Sequence, residues 1–264
     1  MNTVFLGASK GIGYFTLLNL LQNDRSTKAI CLLRKPDLFN ADARLQPFIE
    51  EGRITIVKGD ATNEDDIRKL FQGGNVDLVV SSIGGAPKIT WTGFSIDQPH
   101  LCTHGSIALL HVLQSLNQPT LPRVIVISSM GIGSAHDDMY TSMKLLYHYT
   151  LEVPHQDKMS LEYLFHKASV SLPNMVSPRD IPPKTLLSQE NIDSIKENFL
   201  PEVIIVRPAA FFSSDETMAP KEKVRVEEKL KTYSIKRTEV ARFIAEDCIP
   251  GNQTWVNKCP VIGY

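Results

Sequence analysis

Three glycines near the start of the chain restrict its fold more than any other feature. They stand in Gly7-Ala8-Ser9-Lys10-Gly11-Ile12-Gly13, spaced G-x-x-x-G-x-G. The apolar run Val4-Phe5-Leu6 precedes them. Phe15, Leu17, Leu18, Leu20 and Leu21 follow with helical periodicity. A buried strand, a tight turn and an amphipathic helix are therefore expected in direct succession. The first glycine permits the turn, the middle one lets backbone approach a ligand, and the last lets the helix pack closely on the strand. A helix start of this kind offers free N–H groups and a positive dipole end to an anion. The segment reads as a seat for two linked phosphates.

The rest of the chain repeats the alternation. Continuous apolar runs predict strands over 29–33, 54–57, 76–80, 124–127 and 203–206. Helices are predicted over 64–71 (capped by Thr62 or Asn63), 100–116, 139–151, 155–168 and 237–247, with Pro154 separating the third from the fourth. Strands apolar throughout are covered on both faces. The pattern predicts a doubly wound parallel sheet in a three-layer α/β/α sandwich, the Rossmann fold. A single domain over 1–264 is expected, with an insertion at 169–200 and a small C-terminal lobe at 209–264. Pro173, Pro178, Pro182 and Pro183 mark the insertion, which reads as a lid or substrate loop, or as a disordered excursion. The mixed-sign run Lys221 to Lys229 reads as a solvated face.

Composition excludes several function classes. The 28 basic and 29 acidic side chains leave a net charge of -1, so no nucleic-acid or anionic-membrane partner is expected. No apolar run reaches about 18 residues, and no charged leader precedes the first strand, so a cytoplasmic chain without a membrane span is expected. Cys31, Cys102, Cys248 and Cys259 form no CxxC pair and read as free buried thiols. The histidines lack metal-ligand spacing, and no metal is expected. His104 and His111 share a helix face and read as packing or surface groups.

The second predicted strand runs into Arg34-Lys35. A site selective for NAD places a carboxylate about here to accept from the ribose 2′-OH. A guanidinium suits a 2′-phosphate, because it can bind two oxygens at once. With Lys10 as a further cation, the expected cofactor is NADP(H). Asp60, in Gly59-Asp60-Ala61, either accepts from the adenine amino group or caps the following helix. Ser82, Ile83 and Gly84 are expected to wall the adenosine ribose.

These residues resemble the short-chain dehydrogenase/reductase superfamily, in particular its atypical, NmrA-like NAD(P)-binding members. The matching pieces are the glycine turn, Gly59-Asp60-Ala61, Val126-Ile127-Ser128-Ser129, Asp157-Lys158 with Glu162, and Val206-Arg207-Pro208. The resemblance implies cofactor contacts from Gly7, Ser9, Lys10, Gly11, Ile12, Gly13, Arg34, Lys35, Asp60, Ala61, Ser82, Gly84, Lys158, Arg207 and Pro208. It also implies acid–base catalysis by a Ser, a Tyr and a Lys. Ser129, Tyr140 and Lys158 are the catalytic candidates. Two alignments remain open for the lysine. Tyr140-Thr141-Ser142-Met143-Lys144 has the family's Tyr-x-x-x-Lys spacing. The alternative, which we prefer, makes Lys158 the family lysine and sets Pro154 at the tyrosine position. Phe211-Phe212 is a candidate substrate wall. Tyr147, His148 and Tyr149 line the substrate pocket or simply pack.

The implied function is an NADP(H)-dependent reductase acting on a small organic carbonyl or conjugated substrate, as a monomer or homodimer. The alternative is a non-catalytic NADP(H)-binding redox sensor or regulator. An isomerase or dehydratase is a third possibility.

Overall fold

Six consecutive strands of the sheet run parallel, and all but the edge strand are largely buried. They are β1 (Asn2–Leu6), β2 (Lys28–Leu33), β3 (Ile54–Lys58), β4 (Leu78–Ser81), β5 (Arg123–Ile127) and β6 (Val203–Pro208). Two short strands, β7 (Arg225–Glu227) and β8 (Val261–Gly263), extend it. The order is β3-β2-β1-β4-β5-β6-β8-β7, with β8 parallel to β6 and β7 antiparallel to β8. The computed structural model describes residues 1–85, 87–90, 93–150, 152–211 and 218–264.

Alternate side chains on each strand enter opposite cores. Phe5, Leu78, Val80, Ile125, Ile127, Ile204 and Val206 pack on one face. Val4, Leu6, Val79, Val124, Val126, Val203 and Ile205 pack on the other. The first face is covered by α1 (Gly11–Asn23) and the C-terminal helix α6 (Arg237–Asp247), which lie along each other. Between them in the chain come α2 (Glu64–Arg68), α3 (Leu101–Gln114), α4 (Thr141–Thr150) and α5 (Glu152–Ala168). The second face is covered by α3 packed on α5. This is the doubly wound arrangement expected. Strand order reverses beside β1, so β1 and β4 open a crevice at their C-terminal ends, where such sheets bind ligands.

Several local expectations need correction. Pro154 does not separate two helices: it lies in the first turn of α5. The first four N–H groups of a helix have no intrahelical acceptor, so a proline there costs no hydrogen bond. The predicted 64–71 helix is α-helical only to Arg68 and tightens to a 3-10 turn over Lys69–Phe71. Its cap is Asn63, whose side chain accepts from the Asp66 N–H at 3.1 Å. A hairpin of Pro87–Thr90 with Gly93–Ile96 carries no helical or core signal in the sequence and was not expected.

The 169–200 segment is closed at its base. Ser169 bridges Leu200, and Val170 donates to the Leu200 carbonyl at 3.0 Å. Leu172, Leu187 and Ile195 plug it into the α3/α5 core. Asp180 ties it to the loop after β5, accepting from the Ser134 N–H at 2.6 Å and hydroxyl at 3.1 Å. At the other end of the sheet, buried Arg123 donates to Glu202 at 2.7 Å and to the carbonyls of Cys248, Ile249 and Asn252.

One buried carboxylate joins the two helices of the second face. Asp157, on α5, accepts from the N–H of Cys102 at 2.8 Å and from the N–H and hydroxyl of Thr103 at 2.8 and 2.7 Å. A side chain from another helix thus satisfies the orphan donors at the start of α3, where the dipole also favours a negative charge. Asp157→Ala is expected to cost ~1–3 kcal/mol, the penalty for leaving buried donors unmet. Urea unfolding with an unchanged denaturant slope would show it, and a midpoint equal to wild type would refute the cap.

Candidate functional site

The glycine turn is shaped by the close approach of β1 and β4. Gly7 has φ +84°, and a Cβ on it would stand 2.6 Å from the Ser82 carbonyl oxygen. A Cβ on Gly13 would stand 2.5 Å from the Gly7 carbonyl oxygen. Neither position admits a side chain. Gly11, at φ +64°, opens α1 in the left-handed region. Ser9 and Lys10 are exposed, whereas the Ile12 side chain is buried in the core, so Ile12 can offer a ligand only its backbone. Ser82 donates its N–H to Leu6 at 2.8 Å, and its backbone forms the far wall of the turn.

At the end of β2 lies an open depression of about 810 Å³. Arg34 and Lys35 line it, as expected, but so do Arg44 and Lys58, which sequence reasoning missed. Against these four cations stand two carboxylates, Asp37 and Asp42. Asp42 is occupied: it accepts from the Tyr14 hydroxyl at 2.6 Å and the Arg44 N–H at 2.9 Å. Burial works against its charge, but these donors and the Arg44 cation hold it below the usual carboxylate range. The Tyr14 phenol is pushed up by burial and by Asp42, and stays protonated. The Arg44 guanidinium carbon sits over the Tyr14 ring, 4.9 Å from its centre, within cation–π range. Arg34 donates to Gln98 at 3.0 Å.

Asp60 turns toward its own loop. Its Oδ1 accepts from the Thr62 N–H at 2.9 Å and hydroxyl at 2.8 Å, and the helix cap itself is Asn63. Ala61 faces α3, with its carbonyl 3.3 Å from where a Gly105 Cβ would stand. Arg207 is committed to the interior. Its Nε and Nη2 donate to the two oxygens of fully buried Glu162 at 2.9 and 2.6 Å. Burial pushes the Glu162 carboxyl up, and the Arg207 cation outweighs that and holds it below its usual range. Arg207 thus ties β6 to α5, an assignment its position at the strand end had not suggested. Pro208 is buried, and its carbonyl accepts from the Met130 N–H at 3.0 Å.

Lys158 brings its ammonium to the C-terminal ends of two central strands. Nζ donates to the carbonyls of Ile83, just past β4, at 2.8 Å and Ile127, at the end of β5, at 2.5 Å. It would stand 3.9 Å from a Cβ on Gly84. Lys144 is elsewhere: it donates to the Asp137 carbonyl at 3.1 Å in a surface turn. Tyr140 immediately precedes α4 on the rim, stacked on Tyr233 with ring centres 4.5 Å apart. Ser129 follows β5, and its Oγ lies 3.4 Å from Nε2 of His155, three residues before Lys158 on α5. Sequence reasoning passed over His155. Its spacing to Lys158, Glu162 and His166 along one helix face was the available signal. Burial, reinforced by the charge of His136 and opposed by Glu162, pushes the His155 imidazole down to about 4. Exposed Phe211 lies under the guanidinium of Arg237. Phe212 and the side chains of Tyr147, His148 and Tyr149 lie outside the described residues.

All four cysteines are buried and free. Among the described residues no group of His, Cys, Asp and Glu could hold a metal, and no helix is long and apolar enough to cross a membrane.

Comparison with known proteins agrees with this geometry. Residues 7–164 match a family model described as NAD(P)H-binding. The chain is 27% identical to a protein named oxidase pynE from Aspergillus niger, over 96% of this chain and 95% of that one. It is 29% identical to reductase pytE from Aspergillus terreus over 61% of this chain, spanning 65% of that protein. A short-chain dehydrogenase/reductase from Veillonella parvula, solved in complex with NADP, superposes with a TM-score of 0.64 at 12% identity. That match covers 100% of this chain and 94% of the other. ChuY, an anaerobilin reductase from Escherichia coli O157:H7, gives 0.59 at 15% identity, over 100% and 97%.

The depressed His155 value has a measurable consequence. In the unfolded chain this imidazole takes a proton as pH falls below about 6.5, whereas the folded chain refuses it until about 4. Folding stability should therefore fall as pH drops through that window and level off below it, as far as His155 is concerned. The His155→Gln variant should lose that part of the slope. Urea unfolding at pH 7, 5.5 and 4.5 tests this, and parallel curves for the two proteins would contradict it.

Proposed function

The chain belongs to the NAD(P)H-binding family, with the Rossmann fold of the short-chain dehydrogenases/reductases, and on that premise we propose that it is an NADP(H)-dependent oxidoreductase. Its substrate in this reading is a small organic carbonyl or conjugated compound. The observation that carries the preference for NADP(H) is the basic depression at the end of β2. Arg34, Lys35, Arg44 and Lys58 converge there, next to the position where a Rossmann site holds the adenosine ribose. A 2′-phosphate matches this surplus of cations, and a bare 2′-hydroxyl does not. The cradle for the diphosphate is the turn in which Gly7 and Gly13 leave no room for a side chain.

Bound there, the nicotinamide supplies or accepts a hydride. The protein's own part is positioning and proton handling. An ammonium has three donors. Two of those on Lys158 meet the Ile83 and Ile127 carbonyls. The third is assigned to the nicotinamide ribose. Ser129 is assigned to the substrate oxygen, with His155 behind it at 3.4 Å. Tyr140, stacked on the rim, is left with a substrate-facing role at most.

A second reading is a non-catalytic NADP(H)-binding redox sensor or regulator of NmrA-like type. Pro154 favours it, because it occupies the tyrosine position of the Lys158 alignment and cannot transfer a proton. Cofactor binding without turnover across a broad panel of carbonyl and enone substrates would select this reading.

Two measurements test the proposal. Arg34→Ala should raise the NADPH dissociation constant ~10- to 100-fold, the worth of a charge-assisted contact, and leave NADH nearly unchanged. Tighter binding of NADH than NADPH by the wild type would reject the preference. NADPH oxidation should survive Tyr140→Phe and be lost in Lys158→Ala. The opposite pattern would restore Tyr140 and Lys144 as the acid–base pair.

A further inference from the structure

The helix that opens at the glycine turn also reaches the basic depression. Tyr14 directly follows Gly13 in α1, and its ring is buried in the core. It is not part of the depression's lining. Its hydroxyl nevertheless donates to Asp42 Oδ2 at 2.6 Å, across to the loop between β2 and β3. Asp42 turns its other oxygen to Arg44. Its Oδ1 accepts from the Arg44 N–H at 2.9 Å and pairs with Arg44 Nε at 3.5 Å. The Arg44 guanidinium carbon in turn lies over the Tyr14 ring, 4.9 Å from its centre. Three residues thus form one unit, and two of them, Asp42 and Arg44, line the depression.

On either side of this unit the loop is plugged into the core by buried Phe39 and Leu45. The Asp42 N–H donates to the Phe39 carbonyl at 3.2 Å, and the Leu45 N–H to the Asp42 carbonyl at 3.0 Å. These contacts order the backbone but do not aim the exposed guanidinium of Arg44. A surface ion pair alone orders such a side chain weakly. Here the carboxylate partner is itself held by a buried phenol. The same contacts remove a conflict. A carboxylate beside a phosphate repels it, and both oxygens of Asp42 are turned to donors of the protein instead. The ion pair engages Nε of Arg44 and leaves the two Nη groups, which can meet two phosphate oxygens at once.

We propose that Tyr14 is a positioning residue for NADP(H) selectivity, which through Asp42 holds Arg44 toward the 2′-phosphate. This rests on the 2′-phosphate site proposed above and adds the residue that organises it. Gly13 and Tyr14 are consecutive. The backbone that closes the phosphate turn and the phenol that orders the 2′ subsite are therefore coupled through one peptide bond.

Titration of the full-length protein with NADPH and NADH tests this. Tyr14→Phe keeps the ring and removes the donor. It should raise the NADPH dissociation constant ~3- to 10-fold, the cost of ordering a long side chain on binding, and leave NADH nearly unchanged. In the Arg44→Ala background the same substitution should cost nothing further, because residues that act as a unit are not additive. Asp42→Asn keeps the size and removes the charge. A carboxylate that merely opposed the phosphate would, once neutralised, give tighter NADPH binding. The positioning role predicts weaker binding, again ~3- to 10-fold. Thermal melting checks that the variants fold, and Asp42→Asn decides the question even if Tyr14→Phe proves unstable. Unchanged NADPH affinity in Tyr14→Phe would overturn the proposal. So would equal losses for both nucleotides, an undiminished loss without Arg44, or tighter NADPH binding by Asp42→Asn. A wild type with no preference for NADPH would instead remove the 2′-phosphate site, and the positioning role with it.

Discussion

The backbone of Gly7 touches the backbone of Ser82, and the rest of the ligand-facing edge depends on that contact. It brings β1 and β4 together where strand order reverses, and it aims the start of α1 into the gap. A side chain at Gly7 or Gly13 would have to push backbone aside, which a packed sheet resists. The turn's N–H groups are thereby fixed by packing on both sides before any ligand arrives. That is what an anion site needs, because dipoles that need not reorganise on binding contribute more.

Helix α5 carries an unusual load of buried polar groups for a core helix, and each faces a partner. Asp157 meets the start of α3, Lys158 meets two strand-end carbonyls, and Glu162 meets Arg207 from β6. Replacing such pairs by apolar groups can leave stability unchanged or improve it, so burial alone does not explain them. What they do is fix the helix in register against α3, β5 and β6. Asp157 and Lys158 are consecutive. The residue that anchors α5 therefore also sets where the ammonium points.

The sequence made the local parts of this legible and hid the parts assembled from a distance. The turn from Gly7 to Gly13 is contiguous, and its strand and helix flank it directly, so spacing and periodicity sufficed. Arg34 and Lys35 follow β2 without a gap. Arg44 and Lys58 reach the same depression from a separate loop and from the end of β3, and no pattern in the chain links them to Arg34. Arg237, whose stem lies against Gly11, is more than 200 residues beyond the turn. His155 looked like one histidine among several until the fold set it beside Ser129. Pro154 misled for a different reason: a proline is a helix breaker only beyond the first turn, and where α5 starts is not written in local propensity.

A net charge of -1 means that no broad field draws an anionic dinucleotide to this protein. Attraction has to come from cations gathered locally, and the depression collects them from the end of β2, the loop bearing Arg44 and the end of β3. The C-terminal lobe supports the other end of the same face. By adding β8 beside β6 and pinning Glu239 to the chain's last residue, it holds α6 against α1. The segment that completes the sheet is the same one that seats the start of α6 against Gly11, so the glycine turn is packed from the C-terminal side as well as from β4.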